Sequence, residues 1–226
     1  VFTIEEERVL NNDVLNFYLD GHTEDAVTVT LYSDGGTLNG APTITGLDLY
    51  QDRLIVRHET SGPITNTILD TADNSADADI TAIYSVSTGF LTVASGKELF
   101  IWAGETFTPG GNVTTPNLDV RGTFTHGSEP VTVSAAYQQS SGSFTSGSGT
   151  VDINGSWTLT GGTFTAPPSG TSFSVSGDFA HTAGTFTHNS GTLTLDGAGA
   201  SNQTISGSTT FNNLTATATA ARTLTF

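Results

Sequence analysis

Four copies of the motif G-[ST]-F-T, recurring about every 20 residues, constrain this chain more than any other feature. They are Gly122-Thr-Phe-Thr125, Gly142-Ser-Phe-Thr145, Gly162-Thr-Phe-Thr165 and Gly184-Thr-Phe-Thr187, and the steps between Phe124, Phe144, Phe164 and Phe186 are 20, 20 and 22 residues. A second marker keeps the same step: Val131/Val133, Val151/Ile153, Phe173/Val175 and Leu193/Leu195. Two independent markers on one period indicate a repeat architecture. Alternation along a strand sends each Phe to one face and its flanking Thr or Ser to the other. A lone strand of this kind cannot bury its ring, whereas stacked equivalents build a continuous apolar core. A period of about 20 residues is half of what a four-stranded propeller blade needs. It suits one coil of two or three short strands joined by Gly, Ser and Asn turns. The expected fold is all-β: a parallel β-helix (β-solenoid) with about 20-residue coils in the C-terminal half, preceded by a β-rich acidic N-terminal region. An antiparallel sandwich of hairpins is the competing architecture.

Charge divides the chain as clearly as the repeat does. Residues 1–100 hold 16 of the 22 carboxylates, while beyond Val131 only Asp152, Asp178, Asp196 and Arg222 are charged. We therefore read 1–84 as an acidic β-rich region or cap and 85–226 as solenoid. Within and after the acidic region, Leu47–Tyr50, Leu54–Val56, Leu91–Val93, Leu99–Trp102 and Leu118–Val120 have strand patterns, as irregular coils or as part of a separate cap. Thr3 and Glu6 have capping-box spacing for a short helix, although Val14 to Leu19 reads equally as a strand. Six basic residues against 22 acidic ones leave a net charge of −16, which cannot neutralise a run of phosphates and argues against nucleic acid as a partner. No stretch approaches the roughly 20 apolar residues of a membrane-spanning helix. Cysteine is absent, so stability must come from packing and backbone hydrogen bonds.

The run Gly184–Leu195, followed by Asn202–Leu214, resembles the Gly/Thr/Asn-rich repeats of very large bacterial surface proteins. The segment Leu99–Phe107 leading to Pro109–Val113 is similar to sequence that often precedes such repeats. The resemblance covers about residues 85–226. It implies a parallel β-helix in an adhesin, stalk or fibrous coat, in an extracellular or cell-surface location. It carries over no catalytic residues.

Candidate chemistry is sparse. Asp70, Asp73, Asp77 and Asp79, with Asn74 among them, form the densest acidic cluster; such a loop would supply oxygen ligands to calcium, or would simply be solvated. No other cofactor is expected. The histidines His22, His58, His126, His181 and His188 show no metal-ligand spacing and read as surface or repeat residues. Polysaccharide-active enzymes on β-helices need paired carboxylates on one face. No charged residue beyond Val131 falls at the repeat step, so no catalytic residue is assigned. The Thr-x-Thr rows flanking each Phe would suit an ice-binding face, or would simply be good outward strand positions. Asn112, Asn154, Asn202 and Asn213 begin N-x-[ST] sequons, a number that chance explains in so Ser/Thr-rich a chain. Finally, Leu224 and Phe226 form an uncapped strand pattern, and Val1, Phe2 and Ile4 are apolar enough to pair with it in a neighbouring copy. The functional expectation is a self-associating extracellular filament, stalk or surface-layer subunit. Alternatives are an adhesin passenger that binds glycans through its N-terminal half, and an enzyme acting on polysaccharide.

Overall fold

Three ladders of parallel strands carry the chain, and the coils from Val113 to Thr187 contribute in turn to all three. The computed structural model describes residues 12–32, 44, 46–59, 62–197, 202–217 and 220–226. In the phenylalanine ladder, Thr106–Phe107, Thr123–Thr125, Ser143–Thr145, Thr163–Thr165 and Thr185–Thr187 pair so that Phe107, Phe124, Phe144, Phe164 and Phe186 share one register position. The aliphatic ladder aligns Leu91, Val113, Val131, Val151, Phe173, Leu193 and Leu214. The long ladder aligns Val27, Leu54, Leu99, Leu118, Tyr137, Trp157, Phe179 and Ile205. Strands Val113–Val120 and Val131–Gln139 each serve two ladders, and their register slips between Val133 and Ala136, where the chain turns the corner. The chain is thus an all-β parallel solenoid with coils of about 20 residues in its C-terminal region, as the repeat predicts.

Parallel pairing explains the repeat physically. Each residue stacks on its equivalent one coil away, at about the 4.8 Å strand spacing. Rings at that separation lie face to face: centroids are 4.9 Å apart for Phe124–Phe144 and 4.7 Å for Phe144–Phe164. A second aromatic column runs beside the first, with Tyr137 stacked on Trp157 at 5.9 Å and Trp157 on Phe179 at 4.2 Å. Its rings meet the phenylalanine column edge-on, Trp157 to Phe164 at 5.1 Å and Tyr137 to Phe164 at 5.5 Å. Such pairs add about 0.5–1.5 kcal/mol each beyond area burial. One hydrophobic cluster runs from Val27 to Ile205.

The repeat glycines have a definite task. Gly142, Gly162 and Gly184 have φ of +59°, +75° and +90°, in the left-handed region open to glycine. They also lie against the coil below: a Cβ on Gly142 would strike the carbonyl oxygen of Gly122, and one on Gly162 that of Gly142.

Ahead of the regular coils the chain is more varied. Val14–Tyr18 pairs antiparallel with Val27–Leu31, so the strand reading of this stretch is the one realised; Thr3 and Glu6 lie outside the described residues. Tyr84–Ser87 and Phe90–Val93 form an antiparallel hairpin whose second strand joins the aliphatic ladder. Just before this hairpin lie two short helices, Asn66–Ala72 and Ala78–Thr81, which place Leu69, Ala72 and Ile80 in the core. Leu47–Tyr50 corrects the sequence reading: it is not a strand but crosses the outer face of the long ladder, where the Thr28 hydroxyl donates to the Asp48 carbonyl at 2.6 Å. Lys97 ties these segments together through Asp25 and Asp52. Burial disfavours its charge, yet the two carboxylates outweigh that and raise its pKa.

Candidate functional site

The outer face of the long ladder carries the most elaborate surface constellation. Strand Glu98–Ile101 turns Leu99 and Ile101 into the core, so Phe100 and, just past the strand, Trp102 fall on the opposite side. Phe100 is nonetheless buried, because other side chains roof it. Trp102 meets it edge-on at 5.4 Å and Tyr50 at 6.4 Å, while Tyr50 and Trp102 stack on each other at 5.8 Å with ring planes 19° apart. The Arg53 guanidinium lies 5.0 Å from the Phe100 centroid and the Arg121 guanidinium 4.8 Å from it, both within cation–π range. Together with Gln51 these residues line an open groove.

Each arginine is held by a carboxylate of its own. Arg53 Nε lies 2.8 Å from Glu98, and Arg121 donates to Asp119 from Nε at 3.1 Å and from Nη2 at 2.9 Å. Burial raises the Glu98 pKa, opposed by Arg53 and reinforced by Asp119. The four ionised groups sum to zero, unlike the rest of this acidic chain. Nothing in the period-20 pattern pointed here. The available signal was the unbroken apolar run Leu99–Trp102, which on a strand means burial on both faces.

The residues singled out from sequence lie elsewhere. Among the described residues, no three His, Asp or Glu side chains are gathered to hold a metal ion, so Asp70, Asp73, Asp77 and Asp79 are not brought to one point. Three of them accept from backbone N–H groups: Asp73 from Val86 at 2.9 Å, Asp77 from Asp79 as the helix cap, and Asp79 from Gly21. The histidines are similarly engaged. His58 Nε2 accepts from Thr106 N–H at 3.0 Å, leaving Nδ1 to donate to the Glu59 carbonyl. His126 lies between the Ser146 hydroxyl and the Glu129 carbonyl, and His181 between Thr209 and Gly184. The Thr-x-Thr rows are in register on the phenylalanine ladder, with Thr125 and Thr145 exposed. Of the expected assembly residues, Val1, Phe2 and Ile4 lie outside the described residues. Leu224 packs partly against the core, and Phe226 is 80% exposed.

No protein-family model, curated protein or solved structure matches this chain.

Proposed function

We propose that this protein is a structural component of an extracellular or cell-surface assembly, a self-associating solenoid rod serving as filament, stalk or surface-layer subunit, without catalysis of its own. In this reading residues 1–84 form the acidic cap and 85–226 the rod. The observation that carries it is the in-register stacking of all three ladders around paired aromatic columns. Such a body resists bending, because moving one coil disturbs ring stacks and ladder bonds on every side at once. It also extends by a fixed increment per coil, the property a spacer needs. The resemblance of residues 85–226 to repeats of bacterial surface proteins favours the same setting.

Self-association is assigned to the edge of Leu224–Thr225, with Val1, Phe2 and Ile4 of a neighbour as the complement. Its support is that Leu224–Thr225 pairs in parallel with Gln203–Gly207, with Leu224 packed partly against the core and the Phe226 ring exposed beside it. Backbone hydrogen bonds would supply affinity and alternate side chains the register. Light scattering and negative-stain micrographs over a concentration series test this. Filaments or linear oligomers are expected, and both Phe226→Asp and deletion of residues 1–4 should return folded monomers. A wild-type chain that stays monomeric at high concentration while fully folded refutes the assembly reading.

A further inference from the structure

We propose that the groove of Tyr50, Gln51, Arg53, Phe100, Trp102 and Arg121 binds a neutral pyranose sugar within an oligosaccharide chain. A rod needs no such site, so this binding would be a property beyond the structural role. Tyr50 is 42% exposed and is one of three large hydrophobic residues so exposed among those described. Stacking on Trp102 fixes its orientation, and Trp102 is itself held against the buried Phe100. The result is a rigid apolar platform opening to water.

The polar rim narrows the ligand class. Arg53 and Arg121 are pinned between Phe100 and their carboxylates, so their planar N–H groups are ordered before any ligand arrives. Preorganised donors and acceptors around an apolar platform match a molecule with one apolar face and a girdle of hydroxyls. A pyranose has that form: ring C–H groups lie on the aromatic, while hydroxyls reach guanidinium, carboxylate and the Gln51 amide. An anionic ligand would have to displace Glu98 or Asp119 from its arginine, and would approach a chain of net charge −16. An organic cation would compete with the two guanidiniums already over Phe100. The outward row continues from Phe100 through Asp119 to the exposed Gln138, so a chain of sugars gains polar contacts that a monosaccharide does not.

Intrinsic fluorescence provides the test, because the chain has two tryptophans and Trp157 is fully buried. Cellohexaose, chitohexaose, laminarihexaose and mannohexaose should be titrated separately, with polygalacturonate as the acidic arm. At least one neutral hexamer is expected to give a saturable change and to shield Trp102 from acrylamide. Tyr50→Ala should weaken that binding by about 10-fold, the size of a lost stacking contact. Trp102→Ala should weaken it at least as much by calorimetry, with unchanged circular dichroism and Trp157 emission showing that the fold persists. Three results would each overturn the proposal: no shielding by any neutral hexamer at millimolar concentration, binding to polygalacturonate alone, or a folded Tyr50→Ala variant that binds like wild type.

Discussion

Phe164 lies inside the phenylalanine column, stacked on Phe144 at 4.7 Å and Phe186 at 5.9 Å and met edge-on by Tyr137 and Trp157. Truncating it removes the transfer energy of one ring and leaves a hole that ladder-bound neighbours cannot fill. Phe164→Ala should therefore cost roughly 3–5 kcal/mol in urea unfolding. Trp157 differs, since its fully buried indole N–H has no hydrogen-bond partner among the described residues. Trp157→Phe removes that penalty along with some volume, so the same assay should show a much smaller loss than Phe164→Ala. His126 gives the residue-scale pH dependence. Burial lowers its pKa below 6.5, partly offset by the Glu129 carbonyl. The folded state therefore favours the neutral ring, and protonation favours unfolding. This contribution is complete above about pH 6.5 and is lost as pH falls through that value toward the lowered folded pKa. Urea midpoints at pH 7.5 and pH 5 should differ for wild type, and the difference should shrink in His126→Gln.

At the scale of elements, the helix Asn66–Ala72 shows how irregular segments are fastened to a regular ladder. Thr65 accepts from Ile68 N–H at its start, and the Asn66 amide donates to the carbonyls of Gly89 at 2.8 Å and Asn112 at 2.9 Å. Gly89 is in the turn of the antiparallel hairpin and Asn112 immediately precedes the strand Val113–Val120, so one buried side chain joins helix, hairpin and first full coil. Thr65→Ala should cost about 1 kcal/mol, the usual value of a helix N-cap. Asn66→Ala should cost more, roughly 2–3 kcal/mol, because it removes two hydrogen bonds of a buried side chain and takes from the Gly89 carbonyl its side-chain donor, while the Asn112 carbonyl keeps the Leu91 N–H. Hydrogen exchange should then accelerate first in the hairpin Tyr84–Val93, leaving the ladders downstream of Thr123 protected.

The whole molecule behaves as a stack in one dimension, where each coil touches its neighbours and little else. That predicts a tolerance most folds lack. Deleting residues 146–165 removes one full coil and brings Val131 beside Phe173, Tyr137 beside Phe179 and Phe144 beside Phe186, like still stacked on like. The shortened chain should fold cooperatively with β circular dichroism. Removing residues 146–155 alone sets the ladders out of phase and should abolish the cooperative melt. Equal behaviour of the two deletions would contradict the stacking account.

The 20-residue step, the parallel coils and the phenylalanine column were legible in the amino-acid sequence because parallel pairing places like on like, so a spatial repeat is also a sequence repeat. The long ladder was only half legible. Leu54, Leu99, Leu118, Tyr137, Trp157, Phe179 and Ile205 share a column that changes from leucine to aromatic to isoleucine and keeps no fixed spacing, because any apolar side chain of suitable volume fills that position. The acidic run 70–79 read as a calcium loop or a solvated one, because sequence shows the carboxylates but not the N–H groups that engage Asp73, Asp77 and Asp79. The aromatic groove was decided by tertiary structure alone. Tyr50 and Arg53 come from one segment, Phe100 and Trp102 from the next coil, and Arg121 from the one after. Periodicity reports what each coil must repeat to stack on the last, whereas a site on the outer face is assembled across coils from residues that occur once, and only the wound chain brings them together.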